Sequence, residues 1–299
     1  MKFALYLGCT VPVRAMNYEL ASRQTARKLG IEFVDVEAFT CCGYPARPLN
    51  WEAALLMAAN NLALAEEQGL EICTLCSACT GTLAKANKQL QEDKALRERI
   101  NQRLVETTGR TYGGTIGVRH YARILYEDVG VERLKEMVAE AETGMGDLSA
   151  FGFAAHYGCH YLKPADIYEG FDDPENPHTL GDLIEATGAR LVPYEEEGEC
   201  CGGGILAIDQ EAALSIAKDK LDHVHVADAD GMIVVCPFCD IMYEINQRSI
   251  ERQFDVDYRL PVLYYPQLLG LALGFTAEEV GLKLNRVKAR KLLQAFRKG

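Results

Sequence analysis

Cys200-Cys201-Gly202-Gly203-Gly204, followed thirty-four residues on by Cys236-Pro237-Phe238-Cys239, decides the fold, because the chain carries the same pieces earlier. The earlier copy is Cys41-Cys42-Gly43 with Cys76-Ser77-Ala78-Cys79. A single cysteine precedes each copy, in Tyr6-Leu7-Gly8-Cys9 and in His156-Tyr157-Gly158-Cys159. Written as spacings, the two sets read C-x31-CC-x33-C-x2-C and C-x40-CC-x34-C-x2-C. Two five-cysteine patterns in one order mark an internal duplication. The repeat extends beyond the cysteines, since Val118-Arg119-His120-Tyr121 through Leu125 resembles Val262-Leu263-Tyr264-Tyr265 through Leu269. The Gly-rich stretch Gly144-Met145-Gly146-Asp147 then predicts a boundary, with one unit over 1–146 and a second over 147–299.

Local patterns put each cysteine at a chain turn. Phe3 to Leu7 and Phe151 to Tyr157 read as first strands, Glu32 to Glu37 and Ala189 to Tyr194 as second strands. Leu70 to Thr74 and Gly231 to Val235 read as third strands that run into C-x-x-C. Helices are expected over Asn17 to Leu29, closed by Gly30, and over Trp51 to Gln68 and Asp209 to Ala229, where apolar residues recur at helical spacing. Further helices are expected over Ala84 to Val105 and Ile241 to Arg252. Near the end, Thr276-Ala277-Glu278-Glu279 reads as a capping box and Ala289 to Arg297 as a basic helix. Alternating strands and helices predict an α/β fold: two pseudo-symmetric, Rossmann-like halves with parallel sheets. Sites in such sheets form beyond the carboxyl ends of the strands, so both cysteine sets are expected there, between the halves.

Composition narrows the chemistry. Eleven cysteines in 299 residues divide into two sets of five and a spare, Cys73, which aligns with Ile233 in an apolar strand and reads as a buried structural thiol. A chain of this size needs no disulfide framework to hold its core. With 31 Lys+Arg against 43 Asp+Glu the net charge is −12, which argues against a nucleic-acid binder. No apolar run approaches the roughly 18 residues of a membrane span, and the start lacks a signal-peptide pattern. A cytoplasmic protein with metal or redox chemistry is the expectation.

Structural zinc takes four ligands, and a cubane iron–sulfur cluster takes four thiolates. Five thiols per half exceed both. Adjacent cysteines do not easily converge on one ion, yet they can bind two metal atoms of a larger cluster. The residues alone leave zinc and a cluster both open.

The doubled pattern, and most specifically Cys41-Cys42-Gly43, Cys200-Cys201-Gly202 and Tyr157-Gly158-Cys159-His160, resembles the CCG-domain signature of the heterodisulfide reductase B-subunit family. The resemblance runs from Cys9 to Leu269. It implies two noncubane [4Fe-4S] clusters, one on Cys9, Cys41, Cys42, Cys76 and Cys79, the other on Cys159, Cys200, Cys201, Cys236 and Cys239. It implies a disulfide split between the clusters by one-electron steps, CoM-S-S-CoB in methanogens, with each sulfur captured at a cluster iron. It also implies the partners of a heterodisulfide reductase complex, an A-type flavoprotein and a C-type ferredoxin-like subunit. The alternative is an electron-relay subunit of a larger oxidoreductase complex, with no disulfide turnover of its own.

Several residues beside the cysteines invite a role. His160 follows Cys159 and is the expected proton donor to a departing thiolate. Gly43, Gly202 and Gly203 are expected to let backbone N–H groups approach a cofactor. Gly202 to Ala207 fits G-x-G-x-x-A, but it follows a cysteine pair rather than a first strand, which argues against a dinucleotide site. His156 reads as structural, His120, His223 and His225 as no ligands, and Arg47 and Lys163 as solvated loop charges. Glu195-Glu196-Glu197-Gly198-Glu199 reads as a solvated acidic loop that repels anions.

Overall fold

The computed structural model describes residues 1–141 and 147–296. β1 (Lys2–Tyr6), β2 (Glu32–Asp35), β3 (Ile72–Thr74) and β4 (Val118–His120) form an all-parallel sheet in the order β2-β1-β3-β4. β5 (Gly152–His156), β6 (Arg190–Leu191), β7 (Gly231–Val234) and β8 (Val262–Tyr264) form another, ordered β6-β5-β7-β8. The two orders match position for position, so the duplication in sequence is a duplication in space. Central strands are buried on both faces: Phe3–Tyr6, all of β3, all of β5 and all of β7. The stretch expected to hold the boundary falls largely on residues 142–146, outside the described residues.

The departures from expectation have local causes. β4 and β8 lie in the stretch seen as a repeat but not as strands, because three residues are too few to show alternation. The helix expected from Ala84 begins at Ser77, inside C-x-x-C, and stops at Glu92. Asp93 takes extended geometry, accepts from the Leu96 N–H at 2.9 Å and caps a separate helix, Lys94–Thr108. The helix expected from Ile241 starts at Pro237, passes through a π-turn at Ile241–Ile245 and resumes at Gln247–Phe254. Thr276 and Glu279 bond reciprocally as a capping box requires, at 2.7 and 3.2 Å, but turns follow instead of a long helix. The closing helix is Arg290–Ala295, and Arg297 lies outside the described residues. The Trp51–Glu67 helix packs through Ala54, Leu55, Ala58 and Leu62, while Trp51 itself is exposed.

One carbonyl joins the halves beside the second C-x-x-C. Val235 O accepts from Tyr18 Oη at 3.3 Å, Ser77 Oγ at 3.3 Å and His120 Nε2 at 2.9 Å, all from the first half. Tyr18 also stacks on Tyr264, with centroids 4.0 Å apart. Asn17 Nδ2 donates to Asn285 Oδ1 at 3.0 Å.

The His120 bond carries a pH dependence. Its Nδ1 accepts from the Ala122 N–H, so the proton sits on Nε2. Burial pushes its pKa down to about 4, below the ordinary value near 6.5. Above about pH 6.5 neither the folded nor the unfolded ring is charged, so this group adds no pH dependence there. Between about 6.5 and about 4 only the unfolded chain takes up the proton, and stability falls as pH falls, by roughly 3 kcal/mol in all. Anaerobic denaturation midpoints at several pH values should therefore fall less steeply for His120→Gln than for the native chain. Identical slopes would contradict this origin.

Candidate metal centre

Parallel strands deliver their loops to one edge, and here those loops carry the cysteines. Cys9 follows β1, Cys41 and Cys42 follow β2, and Cys76 and Cys79 follow β3. Cys159, Cys200, Cys201, Cys236 and Cys239 follow β5, β6 and β7 in the same way. In each half the second member of the CC pair and both C-x-x-C thiols are buried, while the first two cysteines reach solvent. Cys73 lies within β3, fully buried and away from the sets, as expected.

The thiols influence one another electrostatically in an unbroken series. In the first half Cys41 contacts Cys42, Cys42 contacts Cys79, and Cys79 contacts Cys76. In the second half Cys159 contacts Cys200, then Cys201, Cys239 and Cys236 follow. The two runs come together at Cys76 and Cys236, where the neighbouring Ser77 Oγ donates to Val235 O at 3.3 Å. Cys9 stands at the exposed edge, 3.8 Å from Thr10 Oγ1. Shared protons leave some sulfurs as thiolates and others as proton holders. Donation from Cys41 and Cys79 pulls Cys42 down to about 3. Cys159 and Cys201 hold Cys200 far below the ordinary thiol value, and Cys239 and Cys76 do the same for Cys236. Thiolate is the form that ligates.

These donors fit an iron–sulfur group better than one closed ion site. Within each CC pair one residue is buried and the other reaches solvent, and Cys9, Cys42, Cys76 and Cys79 line one small cavity. Backbone N–H groups also point at sulfur: Gly202 N is 3.4 Å from Cys200 Sγ, and Gly203 N is 3.4 Å from Cys201 Sγ. Gly43 and Tyr44 N–H groups serve Cys41 and Cys42 alike. Helix packing also demands glycine at Gly43 and Gly202. Both have positive φ, +91° and +76°, and a Cβ would stand 2.6 Å from Ala54 O and 2.8 Å from Ala213 O. The helix following each CC loop forces the glycine. Gly203 differs, since a Cβ there would lie 3.3 Å from Cys201 Sγ.

His160 sits where the halves meet. Its Nε2 lies 3.3 Å from Tyr44 Oη, and the rings meet edge to face. Gly81 of the first half leaves room for it, because a Cβ there would be 3.4 Å from His160 Nδ1. Tyr168 Oη donates to the His160 carbonyl. Burial lowers the His160 pKa, while the nearby cysteine sulfurs oppose that shift. Tyr44 and Phe238 close a small cavity with Cys9, Cys42, Cys76 and Cys79.

Two side chains at the site were not legible in the sequence. Tyr44 directly follows Cys41-Cys42-Gly43, but nothing in the spacing shows that its loop crosses to the other half. His156, expected to be structural, places Nε2 3.2 Å from Cys239 Sγ, and with Cys201 it forms a group whose ligand atoms lie within 4.8 Å of one another. Burial, with Lys220 adding to it, pushes His156 down to about 3. The acidic loop is exposed at Glu195, Glu196, Gly198 and Glu199, as expected of a solvated loop. Buried Lys220 donates to the Glu196 and Glu197 carbonyls and pins it. Lys163 pairs with Glu175 at 3.4 Å and Arg47 lies over the Tyr44 ring, both at exposed positions.

Comparison with known proteins follows the same two halves. The cysteine-rich domain family, CCG, matches at residues 3–84 and again at 153–244. The chain is similar to the B-subunit of ferredoxin:CoB-CoM heterodisulfide reductase from Methanosarcina mazei, at 36% identity over 96% of this chain and 94% of that protein. It is similar to the 8-methylmenaquinol:fumarate reductase membrane anchor subunit of Wolinella succinogenes, at 32% identity over 97% of this chain and 99% of that one. A hypothetical protein of Helicobacter pylori shares the fold, with a TM-score of 0.75 at 16% identity over 96% of this chain and 52% of that one. Among the described residues no helix is long and apolar enough to cross a membrane.

Proposed function

The chain belongs to the heterodisulfide reductase B-subunit family, as an iron–sulfur component of an oxidoreductase, and from that premise we propose that it reduces a disulfide between two noncubane [4Fe-4S] clusters. Cys9, Cys41, Cys42, Cys76 and Cys79 would hold one, and Cys159, Cys200, Cys201, Cys236 and Cys239 the other. The observation that supports this reading is that both five-cysteine sets leave the carboxyl ends of their strands toward one seam, where Ser77 Oγ, next to Cys76, donates to Val235 O, next to Cys236. Two electrons and two protons convert one disulfide into two thiols. The clusters, when bound, supply the electrons one at a time. The chain supplies the rest: Tyr44 and Phe238 shield the junction from water, and Tyr44 Oη orients the His160 ring. His160 Nε2 holds a proton within reach of a departing thiolate. CoM-S-S-CoB or an analogous small disulfide is the substrate class. Partners on this reading are an A-type flavoprotein and a C-type ferredoxin-like subunit of the heterodisulfide reductase complex, in the cytoplasm.

A second reading rests on the full-length similarity to the Wolinella fumarate reductase subunit, whose name mentions no disulfide. On it, the chain relays electrons only. Turnover of small disulfides by the anaerobic, cluster-loaded chain with an artificial reductant separates the two. The first reading expects thiol release, and expects His160→Gln to slow it about 100-fold with iron content unchanged. Intact clusters that reduce no disulfide tested would favour the relay.

A further inference from the structure

The two thiol sets are alike in their backbone donors and unlike in one side chain. In both halves the residue two after each CC cysteine offers its N–H to that cysteine's sulfur. The residue three before the first cysteine is Tyr6 in one half and His156 in the other. Tyr6 turns its hydroxyl away, donating to Thr40 O at 2.5 Å. His156 turns toward the thiols, with Nε2 3.2 Å from Cys239 Sγ. Its other nitrogen, Nδ1, is buried without a hydrogen-bond partner. A proton on Nδ1 would have no acceptor, so the proton belongs on Nε2, where it meets the sulfur. Thr82 stands near Cys42 in the first half, but its hydroxyl donates to Ala78 O at 2.8 Å and is spent there.

We propose that His156 donates its Nε2–H to the Cys239 thiolate and makes the second half-site the more easily reduced of the two. This rests on the cluster reading. A hydrogen bond to a ligand sulfur withdraws negative charge and favours the reduced form of the group it holds. Cys79, the counterpart of Cys239, receives no such donor from Tyr6, so the asymmetry is built into the sequence at one position. Electrons entering the chain rest first in the second half, on the His160 side of the junction. His156 is a positioning residue here, acting through Cys239.

Anaerobic redox titration followed by electron paramagnetic resonance tests this, with iron counted in every sample. His156→Phe should shift the one-electron equilibrium of one centre about tenfold toward the oxidised form, ~59 mV, and leave the other in place. His156→Gln, which keeps an N–H at the same reach, should restore the native value. Unchanged potentials in His156→Phe with full iron would overturn the inference and leave the cluster reading standing. If His156→Phe loses iron from one centre, labelling native protein with nitrogen-15 histidine decides. A histidine nitrogen coupled to one reduced centre and absent in His156→Gln supports the inference, and no such coupling overturns it. Zinc in place of iron in the native chain would remove the cluster reading and this inference together.

Discussion

Serine in place of Cys200 should strip iron from the second thiol set and leave the first loaded, so that the chain keeps about half of its native iron. Cys200 is a strongly acidified thiol, held in that state by Cys159, Cys201 and the Gly202 N–H. A serine hydroxyl stays protonated at neutral pH and ligates poorly. The side chain is exposed, so the fold loses little by the change. The mirror substitution, Cys41→Ser, should empty the first set instead. Iron analysis with electron paramagnetic resonance on both variants reads the outcome. Equal loss of both centres in each variant would contradict two separate ligand sets. The junction at Cys76 and Cys236 behaves differently, because each of those thiols sits at the seam beside the other set. Substitution there should disturb both centres.

Alanine at Gly202, or at Gly43, should be more damaging than alanine at most buried positions. A side chain at either place must take a left-handed backbone, at about 1 kcal/mol or more, and must push away a helix carbonyl less than 3 Å from its Cβ. Helix backbone cannot step aside as a flexible side chain can, so the displacement adds overpacking strain and brings the total to roughly 3 kcal/mol. The CC loop is what moves, and with it the N–H groups aimed at the cysteine sulfurs. Gly202→Ala should lower the melting temperature and empty the second set. Gly204→Ala, whose Cβ would meet only Tyr44 Oη at 3.3 Å, should change little by comparison. Native stability and iron in Gly202→Ala would contradict the packing argument.

Much of this was legible because cysteine spacing survives duplication better than strand patterns do. The ten thiols and their sorting into halves follow from order alone, and the strand-to-cysteine succession places them at one sheet edge. Short strands were the first to escape: β4 and β8 have three residues each. The helix break at Asp93 was hidden by a helical pattern that continues across it. What no spacing can show is contact between halves. The three donors on Val235 O and the Tyr44–His160 pair join residues more than one hundred positions apart. The nearness of His156 to the thiols was hidden for a related reason. Strand alternation gives the face of a residue, but not that Cys239 arrives beneath it.

Iron, acid-labile sulfide and zinc, counted together in the anaerobically purified chain, test the central claim most directly. Two five-thiol cluster sites predict about eight iron and a matching amount of sulfide per chain. Two zinc ions with neither iron nor sulfide would contradict it.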